Sequence, residues 1–308
     1  MNIVYMGNSG FAAPSLKKLN QEFNIQAVYT KPARRCGRGM NLKKGKIEKL
    51  ANKFGIDIRT PHKFDEKEKN YLEKLNPDLI VVVCYGLKIP KYILDIPAYF
   101  TINAHASLLP EYRGASPINK VILEGEEKSG ITVFKLNEKW DAGDIINKYE
   151  IDIEEDETAE SLWEKLRHLA ADALINSINN IKRGSYSLTP QDDSRATYAH
   201  KIRKKDAKID WNKSVERIER MVRAYYSWPI AYTYLNGKRL KVYKVEIEKK
   251  DTNKENGKVV EINRDRGIGV SAEDGIVYLK EIQPAGKRKM NFQDFINGYD
   301  IKEGQKFE

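Results

Sequence analysis

Three polar side chains have the types and spacing needed to catalyse acyl transfer: the amide of Asn103, the imidazole of His105 and the carboxylate of Asp141. Asn103 and His105 are two residues apart at the end of an apolar run, so on a strand both side chains point to one face. Asp141 lies between apolar segments, shortly before a glycine that permits a tight turn. Acyl transfer needs a hydrogen-bond donor for the developing oxyanion, a proton-transfer group, and an acid that orients and charges that group. The three residues match these roles.

The surroundings of His105 indicate that the nucleophile comes from the substrate. No serine, threonine or cysteine stands beside His105 as a clear nucleophile, because Ser107 opens a Ser-Leu-Leu-Pro stretch typical of a structural turn. Direct attack by an amine of the substrate is therefore the simpler hypothesis.

The elements that would position these residues belong to an α/β fold. The first half alternates short apolar strands with helical patterns, which predicts a Rossmann-like, doubly wound, mostly parallel sheet. Residues 80–84 show no polar alternation, as expected of a central strand buried on both faces. Reactive groups cluster at the carboxyl ends of strands in such sheets, where Asn103 and His105 fall. The predicted strands are 2–6, 25–30, 57–59, 79–84, 100–103, 131–136 and 144–151, and the predicted helices are 13–21, 46–54, 66–75 and 158–182.

Two common kinds of cofactor site are not indicated by the sequence. The stretch Gly7-Asn-Ser-Gly10 follows the first strand but lacks the third glycine of a dinucleotide-binding motif, and no acidic residue ends the second strand. Cys36 and Cys84 are far apart and have no metal-ligand spacing. We therefore expect no nucleotide and no metal, and two thiols that suit a reducing cytoplasm.

The second half predicts a separate small β domain. A helix is predicted at 215–224, and Asn236-Gly237 and Asp274-Gly275 are strong hairpin signals between short alternating strands. A polar, turn-rich stretch at 183–194 predicts the start of a linker, and a chain of 308 residues favours two domains. The expected organisation is a catalytic domain at 1–184, a linker at 185–204 and a small β-barrel at 205–308.

The composition predicts a cytoplasmic protein with no membrane partner. Charged residues make up 32% of the chain, and no apolar run approaches the roughly 18 to 20 residues that a membrane span needs. Met1 leads directly into a strand without a basic leader, so neither a signal peptide nor a transit peptide is visible.

The motif Asn103-x-His105-x-Ser107-Leu-Leu-Pro110, followed by Arg113-Gly114 and by Asp141-x-Gly143-Asp144, resembles the folate-dependent formyltransferases. The resemblance is strongest to those members that act on methionyl-tRNA, and it runs nearly end to end, from Gly7 to Met290. It implies 10-formyltetrahydrofolate as the formyl donor, the α-amino group of initiator methionyl-tRNA as the acceptor, and an OB-like C-terminal barrel. Asn103 and a charged His105 would donate to the tetrahedral intermediate. Asp141 would favour that charge and hold a water that relays a proton.

The resemblance also implies which residues bind the folate and the aminoacyl group. The predicted aminoacyl contact is Phe11, for which a plain core position is equally plausible. For residues 107–110 a structural turn with core leucines is an equal alternative to direct folate contact. The predicted folate contacts are Tyr85, Gly86, Leu87, Ser107, Leu108, Leu109 and Pro110.

Two basic segments are predicted to bind tRNA. Residues 30–50 carry eight basic side chains and one acidic one. The resemblance implies that the loop around Arg38 wedges into the acceptor arm of the tRNA, as the corresponding loop does in the enzymes that it resembles. Residues 195–223 carry ten basic and four acidic residues. Such contacts supply affinity and register rather than base identity. A solvated basic loop without a partner is the alternative. The predicted contacts are Arg35, Arg38, Lys43, Lys44, Lys201, Arg203, Lys204 and Lys205.

Two other functions compete with this one. A sugar-nucleotide N-formyltransferase would share the three catalytic residues and the folate-binding sheet, but it would not need the basic segments. A non-catalytic basic RNA-binding module would explain the charge but not the presence of amide, imidazole and carboxylate within one family motif. We expect a monomer.

Overall fold

The computed structural model describes residues 1–36 and 41–308. The chain divides into two compact units, neither of which is continuous in sequence. Unit 1 comprises Met1–Pro117, Lys128–Asp152 and Trp163–Ala199, and unit 2 comprises Ile118–Glu127, Ile153–Leu162 and His200–Glu308. The domain borders expected at residues 184 and 205 stay predictions.

The strands and helices are numbered in chain order. The strands are β1 (Asn2–Gly7), β2 (Asn24–Tyr29), β3 (Arg34–Cys36), β4 (Asn41–Lys43), β5 (Asp57–Arg59), β6 (Leu79–Val83), β7 (Phe100–His105), β8 (Arg113–Gly114), β9 (Lys128–Lys135), β10 (Ile145–Asp152), β11 (Tyr198–Ala199), β12 (Tyr232–Leu235), β13 (Lys238–Lys249), β14 (Val259–Asn263), β15 (Gly267–Ala272), β16 (Gly275–Pro284) and β17 (Met290–Asn291). The helices are α1 (Ala13–Glu22), α2 (Lys46–Phe54), α3 (Glu66–Leu75), α4 (Lys91–Leu94), α5 (Pro117–Glu124), α6 (Ala159–Arg183), α7 (Val215–Ala224) and α8 (Phe292–Gly298).

Unit 1 is built on a seven-stranded sheet in the order β10-β9-β7-β6-β1-β2-β5. The strands from β7 to β5 in this order are parallel, while β9 pairs antiparallel with β7 and the edge strand β10 pairs antiparallel with β9. All five residues of β6 are buried, which agrees with its unbroken apolar sequence. The predicted α/β class with a mostly parallel sheet is confirmed.

Strand β7 is longer than predicted, and the extension matters for the site. The apolar pattern predicted an end at Asn103, but the ladder with β9 continues to the pair formed by His105 and Thr132. Both candidate residues therefore lie within one regular strand and point to the same face.

Unit 2 contains an antiparallel sheet in the order β12-β13-β16-β15-β14, with β17 paired to β16. The last residues of the chain connect its two outer strands. The backbones of Tyr234 and Glu308 exchange two hydrogen bonds on the β12 side, and Val259 of β14 donates to Gln305. Phe307 is buried beneath this connection. These contacts explain how a predicted β domain hides its sheet edges.

Helix α7 packs against the sheet of unit 2 through one apolar face. Its buried residues Val215, Ile218 and Val222 recur at spacings of three and four, the period of one helix face. The Ser214 hydroxyl caps the first turn by accepting a hydrogen bond from the Arg217 N–H. The predicted bounds of this helix, 215–224, are those of the structure.

Candidate active site

Strand β7 presents Asn103 and His105 at the carboxyl end of the parallel part of the sheet. His105 is 7% exposed, while Asn103 is half-buried. Within the described part of the chain, the Asn103 amide makes no side-chain hydrogen bond. An amide with unused donors at this edge of the sheet is suited to receive a substrate oxygen.

Asp141 is held beside His105 by the turn between β9 and β10. One carboxylate oxygen of Asp141, Oδ2, lies 3.8 Å from His105 Nδ1. The same oxygen accepts a hydrogen bond of 2.9 Å from the Gly114 N–H. Both side chains are largely buried, so their mutual attraction is weakly screened by solvent. The structure thus brings together the imidazole and the carboxylate that the sequence analysis selected.

The other ring nitrogen of His105 fixes the orientation of the imidazole. His105 Nε2 lies 3.0 Å from the Tyr112 carbonyl oxygen, which only accepts hydrogen bonds, so Nε2 carries a proton in this geometry. Nδ1 is then the nitrogen that faces the Asp141 carboxylate. Tyr112 is itself held by its N–H, which donates to Thr197 Oγ1 at 2.8 Å.

A second layer of polar residues supports Asp141, and sequence reasoning missed most of it. The Gln191 amide donates to the carbonyl oxygens of Asp141 and Gly143 at 3.0 and 2.7 Å. The Arg113 guanidinium donates to Gln191 Oε1 and to Asp193. Gln191 and Thr197 lie in or just after a polar, turn-rich segment that resembles a linker, so no local pattern pointed to them.

Residues 107–110 form a tight, mostly buried turn next to the site. The Ser107 hydroxyl donates to the Glu111 carbonyl at 2.6 Å. Thr132 Oγ1 donates to the Ser107 carbonyl and accepts from the Leu109 N–H. Leu109 and Pro110 are buried and Leu108 is half-buried. These contacts favour the structural-turn interpretation for this stretch, and a folate contact through its backbone stays a prediction.

Residues 85–87 follow the central strand β6. Tyr85 packs in the core beside Phe64, and Leu87 packs against the same cluster. Burial, and then the carboxylate of Glu68, raises the pKa of Tyr85, so its hydroxyl stays protonated. That hydroxyl has no hydrogen-bond partner among the described residues. Gly86 has φ +69°, a conformation that favours glycine.

Phe11, the predicted aminoacyl contact, is 2% exposed and packs edge-to-face on Trp163, with ring centroids 5.9 Å apart. This packing favours the core interpretation that the sequence left open. Trp163 is itself half-buried, and Arg167 stacks over its ring at 4.8 Å.

The first basic segment is only partly covered by the structure. Arg38 lies outside the described residues. Arg35 and Lys43 lie in β3 and β4, a two-stranded antiparallel pair, and their side chains also lie outside what is described. Lys44 is exposed and pairs with Glu48 at 3.5 Å.

The second basic segment belongs to unit 2. The side chains predicted to contact tRNA are exposed, and within the described residues none of them takes part in an ion pair. They lie on and before a short 3-10 turn at Lys204–Ala207, where the Asp206 carboxylate accepts from the Arg203 N–H. Unpaired exposed cations are free to bind an anionic partner. These residues are Lys201, Arg203, Lys204 and Lys205.

The described residues contain no group of three or more His, Cys, Asp or Glu side chains arranged to hold a metal ion. Among the helices in the described ranges, none is both long enough and apolar enough to cross a membrane.

Comparisons with known proteins match both parts of the chain to one enzyme family. The formyl transferase family matches residues 1–178, and the formyl transferase C-terminal domain matches residues 201–300. A methionyl-tRNA formyltransferase of Caldicellulosiruptor saccharolyticus is 43% identical over 312 residues, covering 99% of each chain.

Solved structures show the same fold at lower identity. WlaRD, a sugar 3N-formyl transferase crystallised in the presence of dTDP and 5-N-formyl-THF, has a TM-score of 0.65 and 20% identity over 94% of this chain and 99% of its own. A methionyl-tRNA formyltransferase from Clostridium thermocellum has a TM-score of 0.54 and 20% identity over 80% of this chain and 94% of its own.

Proposed function

The chain belongs to the formyl transferase family, and we propose that it transfers the formyl group of 10-formyltetrahydrofolate to the α-amino group of initiator methionyl-tRNA. The choice of acceptor rests on the 43% identity, over 99% of both chains, to a relative named methionyl-tRNA formyltransferase. The product would be the formylmethionyl-tRNA used in translation initiation.

The chemical step is attack of the neutral amine nitrogen on the formyl carbon. A carbon–nitrogen bond forms, and the formyl oxygen becomes the oxyanion of a tetrahedral intermediate. The unused Asn103 amide is one donor to that oxygen. His105 supplies the second donor from Nδ1, because Nε2 already faces the Tyr112 carbonyl. Each preorganised donor of this kind typically contributes a factor on the order of 10² to 10³ in rate.

Collapse of the intermediate breaks the bond between the formyl carbon and the folate nitrogen. The attacking nitrogen has become an ammonium and must lose a proton, while the departing folate nitrogen must gain one. A water held by the Asp141 carboxylate relays this proton, and the same carboxylate faces His105 Nδ1 from 3.8 Å. No covalent enzyme intermediate is needed.

The folate would bind across residues 85–87 and 107–110. Tyr85 packs in the core with its hydroxyl buried, and the Ser107 hydroxyl already donates to the chain. Recognition of the folate would therefore come mainly from backbone groups of the two turns.

The tRNA would be bound by the two basic segments. The exposed side chains at 201–205 and the loop around Arg38 would contact phosphates, which gives affinity that depends strongly on salt. The corresponding location is the cytoplasm, where charged tRNA and folate are available, and the acting species is a monomer.

A direct assay tests this proposal. Purified protein is mixed with 10-formyltetrahydrofolate and with methionyl initiator tRNA, methionyl elongator tRNA or a dTDP-linked amino sugar, and formyl transfer to each acceptor is measured. We expect transfer to methionyl initiator tRNA above all. Preferred transfer to the amino sugar would assign the chain to the sugar formyltransferases instead, a possibility raised by the TM-score of 0.65 to WlaRD. RNA binding without any transfer would indicate a non-catalytic module.

A further inference from the structure

We propose that Gln191 is a positioning residue of the formyl transfer reaction, which holds the backbone of Asp141 in the conformation that directs its carboxylate toward His105. This inference rests on the proposed function only in that Asp141 must take part in the transfer. It assigns a role to a segment that is mostly polar, rich in turn-forming residues and without a periodic pattern.

Asp141 has a backbone conformation that requires support. Its φ is +50°, in the left-handed region that a non-glycine residue rarely adopts without compensating contacts. Two of the compensating contacts come from Gln191. Its amide nitrogen donates to the carbonyl oxygens of Asp141 and Gly143, at 3.0 and 2.7 Å. A single side chain therefore connects both ends of the three-residue turn.

The orientation of the Gln191 amide is determined by chemistry. The Arg113 guanidinium has only donors, and both its Nε and one Nη face Gln191 Oε1, at 3.0 and 2.8 Å. The oxygen of the amide must face Arg113, so its nitrogen must face the two carbonyls. A glutamate at this position would keep the pairing with Arg113 but could not donate to either carbonyl in its ionised form.

Arg113 is itself well anchored, which makes the arrangement rigid. It is 4% exposed, and its guanidinium also donates to Asp193 Oδ1 at 2.8 Å. The next residue, Gly114, provides the N–H that binds the Asp141 carboxylate. Asp141 is thus held on its backbone side through Gln191 and on its carboxylate side through Gly114, and both supports start from Arg113-Gly114.

Backbone hydrogen bonds also hold the segment that contains Gln191 in place. Two residues earlier, Thr189 exchanges a pair of backbone hydrogen bonds with Ile145, at the start of β10. Ile145 comes only two residues after the turn at 141–143. The segment that carries Gln191 is therefore fixed to the strand that follows the turn it supports.

The test is the substitution Gln191→Glu, with kinetics measured on the acceptor that the wild-type protein uses. Because a misplacement near 1 Å costs on the order of 10² in rate, we expect kcat to fall about 10- to 100-fold. The KM values for folate and acceptor should change less than about threefold. Gln191→Met, which has a similar shape and no amide, should give the same loss.

A matched control separates positioning from stability. The Gln26 amide also donates to a backbone carbonyl in unit 1, that of Leu75 at 2.8 Å, but it lies in β2 and not in the site. Gln26→Glu should leave kcat unchanged. Rates are expressed per folded protein, with the folded fraction measured by circular dichroism, so that a variant with lower stability still gives a usable kcat.

The decisive readout is a double-mutant cycle with Asp141→Gly, because glycine adopts the left-handed conformation without support. If Gln191 acts through Asp141, Gln191→Glu should lower kcat by less than about threefold in the Asp141→Gly background. An equal loss in both backgrounds, or an unchanged kcat in the single variant, would overturn the inference. Failure of the wild-type protein to use methionyl-tRNA would instead count against the proposed function alone.

Discussion

The carbonyl oxygen of Lys135 occupies the space in which a β-carbon at position 143 would have to lie. Gly143 accepts from Gln191 in the turn that carries Asp141, and the obstacle is backbone, which cannot move aside as a side chain can. We therefore expect Gly143→Ala to displace the turn, lowering kcat at least about 100-fold and stability by about 1 to 3 kcal/mol. Gly298→Ala, where the same β-carbon meets open space at the end of α8, is the control and should leave kcat unchanged without lowering the urea midpoint.

The three candidate catalytic residues can be tested by removing one functional group at a time. Asn103→Ala and His105→Ala should each lower kcat by on the order of 10² to 10³, the usual effect of losing an oxyanion donor. Asp141→Asn should be similarly severe, because His105 loses the charge beside Nδ1. Circular dichroism should show a folded protein in each case. If any of the three variants kept near-full activity, that residue would have to be removed from the proposed site.

Arg38→Ala should separate acceptor binding from chemistry. Formyl transfer to methionyl-tRNA should fall sharply, while slow hydrolysis of the folate donor should not change, since Asn103, His105 and Asp141 remain in place. The slope of log affinity against log salt should decrease by about one for each phosphate that the variant no longer neutralises. Lys53→Ala, an exposed cation on α2, serves as the charge-matched control. Full activity on tRNA would show that the basic loop is only a solvated surface.

Phe307 lies in the C-terminal segment that connects β12 and β14, and Phe307→Ala should strongly lower the free energy of unfolding. Phe307 is 1% exposed and packs on Trp211, with ring centroids 6.0 Å apart. Removing a buried phenyl ring typically costs about 3 to 5 kcal/mol, which urea unfolding can measure. Glu303→Ala, an exposed position close in sequence, should stay within about 0.5 kcal/mol of the wild type. If the two variants were equally stable, the buried ring of Phe307 would contribute nothing measurable to the free energy of unfolding.

The ion pairs of Glu255 with Lys258 and Lys306 predict a contribution to the free energy of unfolding that depends on pH. Hydrogen bonds from Lys306 and Lys258, and then their charges, lower the pKa of Glu255 to about 2. A carboxyl group whose pKa is lowered by folding stabilises the fold above its unfolded pKa, and this contribution is lost as pH falls through the folded value. The stability difference between the wild type and Glu255→Gln should therefore shrink between about pH 4.5 and pH 2. Since Glu255 is exposed, 1 M salt should reduce the difference at every pH, and a salt-independent difference would contradict this origin.

Local signals explain why so much of the fold was predictable. The bounds of α2, α3 and α7 agree with the prediction because an apolar period of one helix face coincides with a capping residue at one end of each helix or at both. Gly55 ends α2 in the left-handed conformation, and Asp65 caps α3 through the Glu68 N–H. The buried strand β6 was recognisable from its unbroken apolar sequence.

The parts that were missed depend on contacts between distant residues. Helices α5 and α8 are short, and the connection made by Gln305 and Glu308 pairs strands about 50 to 70 residues away, which no local pattern encodes. In the site, the spacing of Asn103 and His105 was sufficient to place both on one face. The supports from Gln191 and Thr197 span dozens of residues and come from a segment that resembles a linker, so only the folded chain reveals them.

The interleaving of the two units limits how this protein could be rearranged by recombination. Residues 118–127 and 153–162 belong to unit 2, although unit 1 surrounds both in the sequence. In unit 2, Asn119 donates to the Ala224 carbonyl, and Arg217 donates to the Leu123 carbonyl. A gene break anywhere between the two family matches would separate these donors from their acceptors. A recombinant protein that takes its C-terminal part from a relative would therefore also need residues 118–127 and 153–162 from that relative. We expect the two halves of the gene to evolve together.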